Sequence, residues 1–216
     1  MRQKKSELTP KRKSQTWRMA LLGLWLVAAL GAAEPKTVLF FGDSLTAGYG
    51  VEPDEAYPAL IQRKIEQAGL PWRVVNAGLS GETTSGGLRR LDWILRQHVD
   101  VFVIELGGND GLRGIAPSLT RSNLATMIER IRQRYPDVKL VVAGMQLPTN
   151  MGPDYTREFA AIYPEVARTG HAVLIPFLLD RVGGVPTLNQ ADGIHPTAEG
   201  HQIVAETVWR TLQPLL

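Results

Sequence analysis

Hydrophobic residues fall along this chain in two alternating patterns. Short apolar runs at Thr37–Phe41, Arg73–Asn76, Val101–Leu106, Lys139–Gly144 and Ala172–Pro176 read as strands. Between them lie stretches with apolar residues at helical spacing. Asp54–Ala68 brings Ala56, Leu60, Ile61 and Ile65 roughly to one face, and Thr84–His98 does the same with Leu88, Leu91 and Leu95. Leu119–Tyr135, Tyr155–Arg168 and Thr197–Leu212 complete the helical set. Pro164 stands inside the fourth of these, where a missing backbone donor can break a helix.

The strands are apolar throughout rather than alternating, as in a parallel sheet covered by helices on both faces. Five strand–helix units in succession predict an α/β fold: a three-layer α/β/α domain with a five-stranded, doubly wound parallel sheet of flavodoxin-like type. Ligands of such sheets bind beyond the carboxyl ends of the strands, near the point where strand order reverses. The residues that follow each strand are therefore the candidates for chemistry.

The 216 residues are 44% hydrophobic and 21% charged, ordinary for a globular protein, and contain no cysteine. That absence excludes disulfides, thiolate metal sites, a cysteine nucleophile and a lipidated N-terminal cysteine. The net charge of +3 is unevenly placed: the first 18 residues carry +6, which leaves −3 for the rest. The basic character thus belongs to the leader, and nucleic acid is not an expected partner. Met19–Gly31 follows without a charge, with small residues at Gly31 and Ala33. A basic segment, a short apolar segment and a small-residue site predict a secretory signal at 1–33, cut after Ala33, and one domain at 34–216. At ~1.5 Å per residue the apolar segment reaches only about 20 Å, short of a hydrocarbon core about 30 Å thick. The expected location is periplasmic or secreted; retention of the leader as a membrane anchor is the alternative.

Gly42-Asp43-Ser44-Leu45 follows the first strand. It reads either as a glycine turn with a capping serine or as a turn presenting Ser44 as a nucleophile. It is neither a phosphate loop nor a G-x-S-x-G elbow, since Thr46 occupies the second glycine position. Asp43 reads as a structural turn carboxylate. After the second strand Gly78 allows close approach of its N–H to a ligand, or simply a turn before a helix cap. After the third, Gly107-Gly108-Asn109-Asp110 offers the Asn109 amide at the rim, or a plain Asn-Asp-Gly turn. Asp192-Gly193-Ile194-His195-Pro196 is a tight turn in which a carboxylate can meet an imidazole Nδ1–H. His98 at a helix end, His171 before a strand and His201 on the last helix read as structural. Jointly, Ser44, Asp192 and His195, with the Ser44 and Gly78 N–H groups and the Asn109 amide, fill the roles of nucleophile, orienter, base and oxyanion donors.

These residues resemble the four blocks of the SGNH (GDSL-type) hydrolases. Glu105–Gly114, Ala161-Ile162-Tyr163-Pro164 and Asp192–Pro196 are similar to the bacterial periplasmic acyl-CoA thioesterase/lysophospholipase/arylesterase subgroup. The resemblance implies a two-step serine esterase acting on aryl or alkyl esters, acyl-CoA thioesters or lysophospholipids, without metal or cofactor. A general-base histidine implies that activity falls toward acid pH. A carbohydrate O-deacetylase of the same fold and a non-catalytic flavodoxin-like binding module are the alternatives. Leu45, Leu79, Gly108, Leu112, Met145, Leu147, Pro148, Tyr155 and Ile194 are expected around the substrate, forming an apolar rim for an acyl chain. The glycines of Gly107–Gly114 suggest a mobile loop closing over it. The expected partner is a small-molecule or lipid-type acyl ester, with transient lipid contact and a monomeric enzyme.

Overall fold

The computed structural model describes residues 34–216; the leader read at 1–33 lies outside the described residues. Five strands, β1 (Lys36–Gly42), β2 (Trp72–Asn76), β3 (Val101–Glu105), β4 (Lys139–Ala143) and β5 (Val173–Ile175), form one parallel sheet in the order β2-β1-β3-β4-β5. This is the doubly wound order predicted. Its reversal point lies between β1 and β3, whose register sets Gly42 opposite Glu105. The helices are α1 (Ser44–Ala47), α2 (Tyr57–Gln67), α3 (Thr84–Ile94), α4 (Gly108–Leu112), α5 (Pro117–Arg134), α6 (Pro153–Thr169) and α7 (Ala198–Leu212). Helices α2 and α7 pack together on one face of the sheet; α3, α5 and α6 pack in series on the other.

Strands β1, β3 and β4 are buried along nearly their whole length, as their apolar runs require. The edge strands are only partly covered: Val173 of β5 is exposed, and β2 is half-buried. Phe40, Phe41, Phe102 and Ile104 fill the space between the sheet and its helices. At ~25 cal/mol per Å² of apolar surface, this burial is the main favourable term in folding.

Two helix boundaries and one interior proline depart from the sequence expectation. Helix α2 begins at Tyr57 rather than Asp54, because Pro58 lacks an N–H and fits only a first turn. Helix α3 stops at Ile94, so His98 lies beyond the helix, exposed beside Asp100, and not at its end. The Tyr135 hydroxyl, just past the end of α5, lies 2.8 Å from the Leu95 carbonyl and 2.5 Å from the Gln97 carbonyl and donates its one proton to acceptors at that terminus. Helix α6 runs through Pro164 unbroken. Phe159, Ile162, Tyr163, Val166 and Ala167 are all buried along it, and their packing offsets the ~3 kcal/mol that an internal proline costs.

Candidate active site

Ser44 is the first residue of α1 and is 8% exposed. The sharp exit from β1 depends on Gly42: a Cβ there would lie 2.1 Å from Thr46 Oγ1 and 2.4 Å from Glu105 Oε2. Into that space the buried Glu105 carboxylate projects from β3. Its Oε2 accepts hydrogen bonds from the Asp43 N–H (3.2 Å) and the Thr46 hydroxyl (2.7 Å), and Thr46 Oγ1 also lies 2.7 Å from the Tyr57 hydroxyl. Its Oε1 is buried without a partner. Burial, reinforced by the charge of Asp43, pushes the Glu105 carboxyl well above the usual carboxylate range.

Asp43 caps α1 by accepting the Leu45 N–H (3.0 Å) on Oδ1, the turn role expected of it. Its Oδ2 has a second function, accepting the Asn109 Nδ2–H at 3.0 Å. Burial raises Asp43 to about 6, against the lowering effect of those hydrogen bonds.

Asn109 lies in α4, which is entered through Gly107 at φ 116°; a Cβ at Gly107 would meet the Tyr163 hydroxyl at 2.4 Å. Most of the glycine-rich segment Gly107–Gly114 forms this short helix, pinned at several points. Buried Asp110 accepts from the Thr84 N–H (2.8 Å) and hydroxyl (2.5 Å), tying α4 to the start of α3. The Tyr155 hydroxyl donates to the Ile115 carbonyl (2.8 Å) and approaches that of Gly111 (3.2 Å).

His195 comes from the long connection between β5 and α7. Its Nε2 lies 2.9 Å from Ser44 Oγ, and its Nδ1 lies 2.6 Å from Asp192 Oδ2. Asp192 Oδ1 accepts the N–H groups of Ile194 and His195, both at 3.0 Å. Partial burial opposes ionisation of Asp192, but these hydrogen bonds outweigh it and hold the carboxyl down at about 2. His201 is buried under Tyr57, whose N–H it accepts at Nδ1 (3.3 Å). Burial, then the nearby His195, lowers His201 to about 4. It is a core histidine, as read from the sequence.

Gly78 packs against α1 so closely that a Cβ would lie 2.3 Å from the Ala47 nitrogen. Its N–H is taken up within its own loop, donating to Asn76 Oδ1 at 2.9 Å. Among the described residues, the Ser44 N–H has no hydrogen-bond acceptor.

Beside Ser44 and His195 opens a cavity of about 460 Å³. Leu45, Gly108, Leu112, Met145, Leu147, Pro148 and Ile194 line it, together with Asp43 and Asn109. Leu79 and Tyr155 do not. Leu79 is 52% exposed on the β2–α3 loop, and Tyr155 is spent bracing α4. The sequence reading missed Phe177, Leu179, Gly183 and Gly184, which close the wall from the segment after β5. That segment also follows a strand, so the rule that picked out the other loops applies to it as well. Trp72, Trp93 and Trp209 are absent from the cavity wall. Among the described residues, no group of three or more His, Asp or Glu is arranged to hold a metal ion, and no helix is long and apolar enough to cross a membrane.

Residues 40–203 match the model of the GDSL-like Lipase/Acylhydrolase family. The chain is 43% identical to Esterase TesA of Pseudomonas aeruginosa over 194 residues, covering 89% of this chain and 96% of that protein. It is 38% identical to the Thioesterase 1/protease 1/lysophospholipase L1 of Escherichia coli strain K12 over 201 residues, 93% and 94% of the two chains. The crystal structure of TesA superimposes with a TM-score of 0.80 at 44% identity, covering 84% of this chain and all of that one. With the predicted fold in place and all four motif blocks gathered at one edge of the sheet, the chain belongs to the GDSL-like lipase/acylhydrolase family of ester-bond hydrolases.

Proposed function

We propose that the protein is an exported serine esterase that cleaves acyl esters or thioesters through an acyl-enzyme on Ser44. The observation that carries this reading is the Ser44 Oγ–His195 Nε2–Asp192 relay, at 2.9 and 2.6 Å, beside an apolar cavity. His195 Nε2 takes the Ser44 proton as Oγ attacks the acyl carbonyl, and returns it to the departing alcohol or thiol. Asp192, ionised at any working pH, fixes the Nδ1–H tautomer and stabilises the imidazolium. Water then attacks the acyl carbonyl as His195 takes its proton; the acyl–Oγ bond breaks, His195 returns the proton to Ser44 Oγ, and the acid is released. The oxyanion forms where the free Ser44 N–H and the second N–H of Asn109 Nδ2 converge. Gly78 joins them by sharing its N–H between Asn76 Oδ1 and the oxyanion.

The substrate side of the proposal rests on the cavity wall. Leu45, Leu112, Leu147, Phe177 and Ile194 suit an acyl chain. Leu112 at the end of α4 and Ile194 of the histidine turn are exposed on the cavity wall, and exposed Tyr49 packs on His195 beside them, an apolar collar suited to lipid-type esters and brief lipid contact. Export rests on the leader at 1–33, with cleavage after Ala33. The test is kcat/KM of residues 34–216 over esters from acetyl to palmitoyl, with Ser44→Ala as control. Activity rising with chain length and absent from the control is expected. Activity confined to acetyl esters would replace this reading with a carbohydrate deacetylase.

A further inference from the structure

The Asp192–His195 turn is organised internally, yet most of it is exposed, and something must set its distance from Ser44. The turn closes on Gln190: the Gln190 N–H donates to the His195 carbonyl (2.7 Å), and the Gln190 carbonyl accepts from Gly193 N–H (2.9 Å). The Gln190 side chain then leaves the turn. Its Nε2 donates to the Tyr49 carbonyl (2.7 Å) and to the Pro196 carbonyl (3.0 Å). Tyr49 belongs to the loop that follows α1, and its ring packs on the His195 imidazole with centroids 4.6 Å apart. Among the described residues, the Gln190–Tyr49 hydrogen bond is the one besides Ser44–His195 that joins the 190–195 turn to α1 and the loop after it. Gly50 makes room for it: at φ 76°, a Cβ there would sit 2.1 Å from Gln190 Oε1.

We infer that Gln190 is a positioning residue, a clasp that ties the histidine turn to the serine loop and presses His195 between Tyr49 and Ser44. The inference rests on the reading of His195 as general base. Two donated hydrogen bonds to main-chain carbonyls require an amide at this position. An ionised glutamate is the same shape but donates nothing and faces two carbonyl oxygens.

The test compares Gln190→Ala and Gln190→Glu with the unmodified enzyme, with His195→Ala run alongside. A misplacement of about 1 Å can cost about 10²-fold in rate, so kcat is expected to fall about 10- to 100-fold in both variants, with KM and melting temperature little changed. Gln190→Glu must fall at least as far as Gln190→Ala, because a space-filling role would be preserved by the isosteric side chain. The His195 Nδ1–H proton resonance, assigned by its loss in His195→Ala, is expected to broaden through faster exchange in both variants. Gly50→Ala attacks the clasp from the opposite side and should reproduce the kcat loss. Wild-type kcat in Gln190→Glu would overturn the clasp while leaving the base assignment intact, provided His195→Ala is inactive. An active His195→Ala enzyme would overturn both.

Discussion

Ser44 and His195 meet at 2.9 Å, but the surroundings of the two residues differ in kind. Ser44 stands at the end of a central strand, over a buried network of Glu105, Thr46, Tyr57 and Asp43, with a glycine at position 42, where a side chain would collide with Thr46 and the Glu105 carboxylate. His195 stands in a turn whose Asp192 is exposed and whose order comes from short-range hydrogen bonds and one amide clasp. The two carboxylates record the contrast. Burial raises Asp43 to about 6, while hydrogen bonding in an open turn lowers Asp192 to about 2. Ser44, the proposed nucleophile, is thus held by packing, which is costly to disturb, and His195, its proposed base, by local geometry, which can be altered without unfolding the domain.

The largest effects should come where the two halves join. Ser44→Ala and His195→Ala are each expected to lower kcat by at least about 10³-fold, with far-UV circular dichroism unchanged. Their double variant should be no slower than the worse single one, because the residues act as a unit. Next, Asn109→Ala should reduce kcat by about 10²–10³-fold at nearly constant KM, the usual cost of one oxyanion donor. Unaltered kcat there would remove Asn109 from the site.

On the nucleophile side the expected loss is in stability. Glu105→Ala leaves the Asp43 N–H and Thr46 without their acceptor, and urea unfolding should register about 1–3 kcal/mol for each buried group left unsatisfied. Glu105→Gln keeps an acceptor oxygen for both donors and should lie closer to the parent enzyme than Glu105→Ala does. Equal damage by both substitutions would contradict the acceptor role of Glu105.

The smallest effect is on pH dependence. Asp43 titrates at about 6 in the folded protein, against about 3.8 for a free aspartate. Its stabilising contribution is therefore complete below about 3.8 and lost as pH rises through about 6. Asp43→Asn should remove that pH dependence, so its stability should not decline across this window as the parent's does. It should also be slower, because the Leu45 N–H and Asn109 meet different oxygens of Asp43, and asparagine carries an NH2, which cannot accept, in place of one of them. His201, held at about 4, acts in the opposite sense, its contribution fading as pH falls from about 6.5 through about 4. The Asp43 contribution is accordingly read from the difference between melting curves of the two proteins across this window.

Much of this was legible in the sequence, because the strongest constraints are periodic or local. Buried parallel strands are apolar on both faces through their centres, so β1, β3 and β4 are visible as runs without alternation. The Asp192–His195 turn is confined to four residues, so its spacing reveals its geometry. What stayed hidden depends on partners distant in the chain. Glycines 107, 108, 111 and 114 suggest mobility, yet Asp110 finds Thr84 and holds a helix there. Leu79 and Tyr155 lie beside motif residues in sequence, but one faces solvent and the other braces α4. Gln190 looks like an ordinary loop residue until Tyr49 is seen beside it, 141 positions away in the chain.

The central claim is that Ser44 is the nucleophile and His195 its base, and covalent trapping tests it most directly. Residues 34–216 and the His195→Ala and Ser44→Ala variants would be treated with an alkyl fluorophosphonate, and the adduct located by peptide mass spectrometry. The account predicts one adduct, on Ser44, forming rapidly in the parent enzyme, at least about 10³-fold more slowly in His195→Ala, and not at all in Ser44→Ala. An adduct on another residue, or equal labelling rates with and without His195, would contradict it.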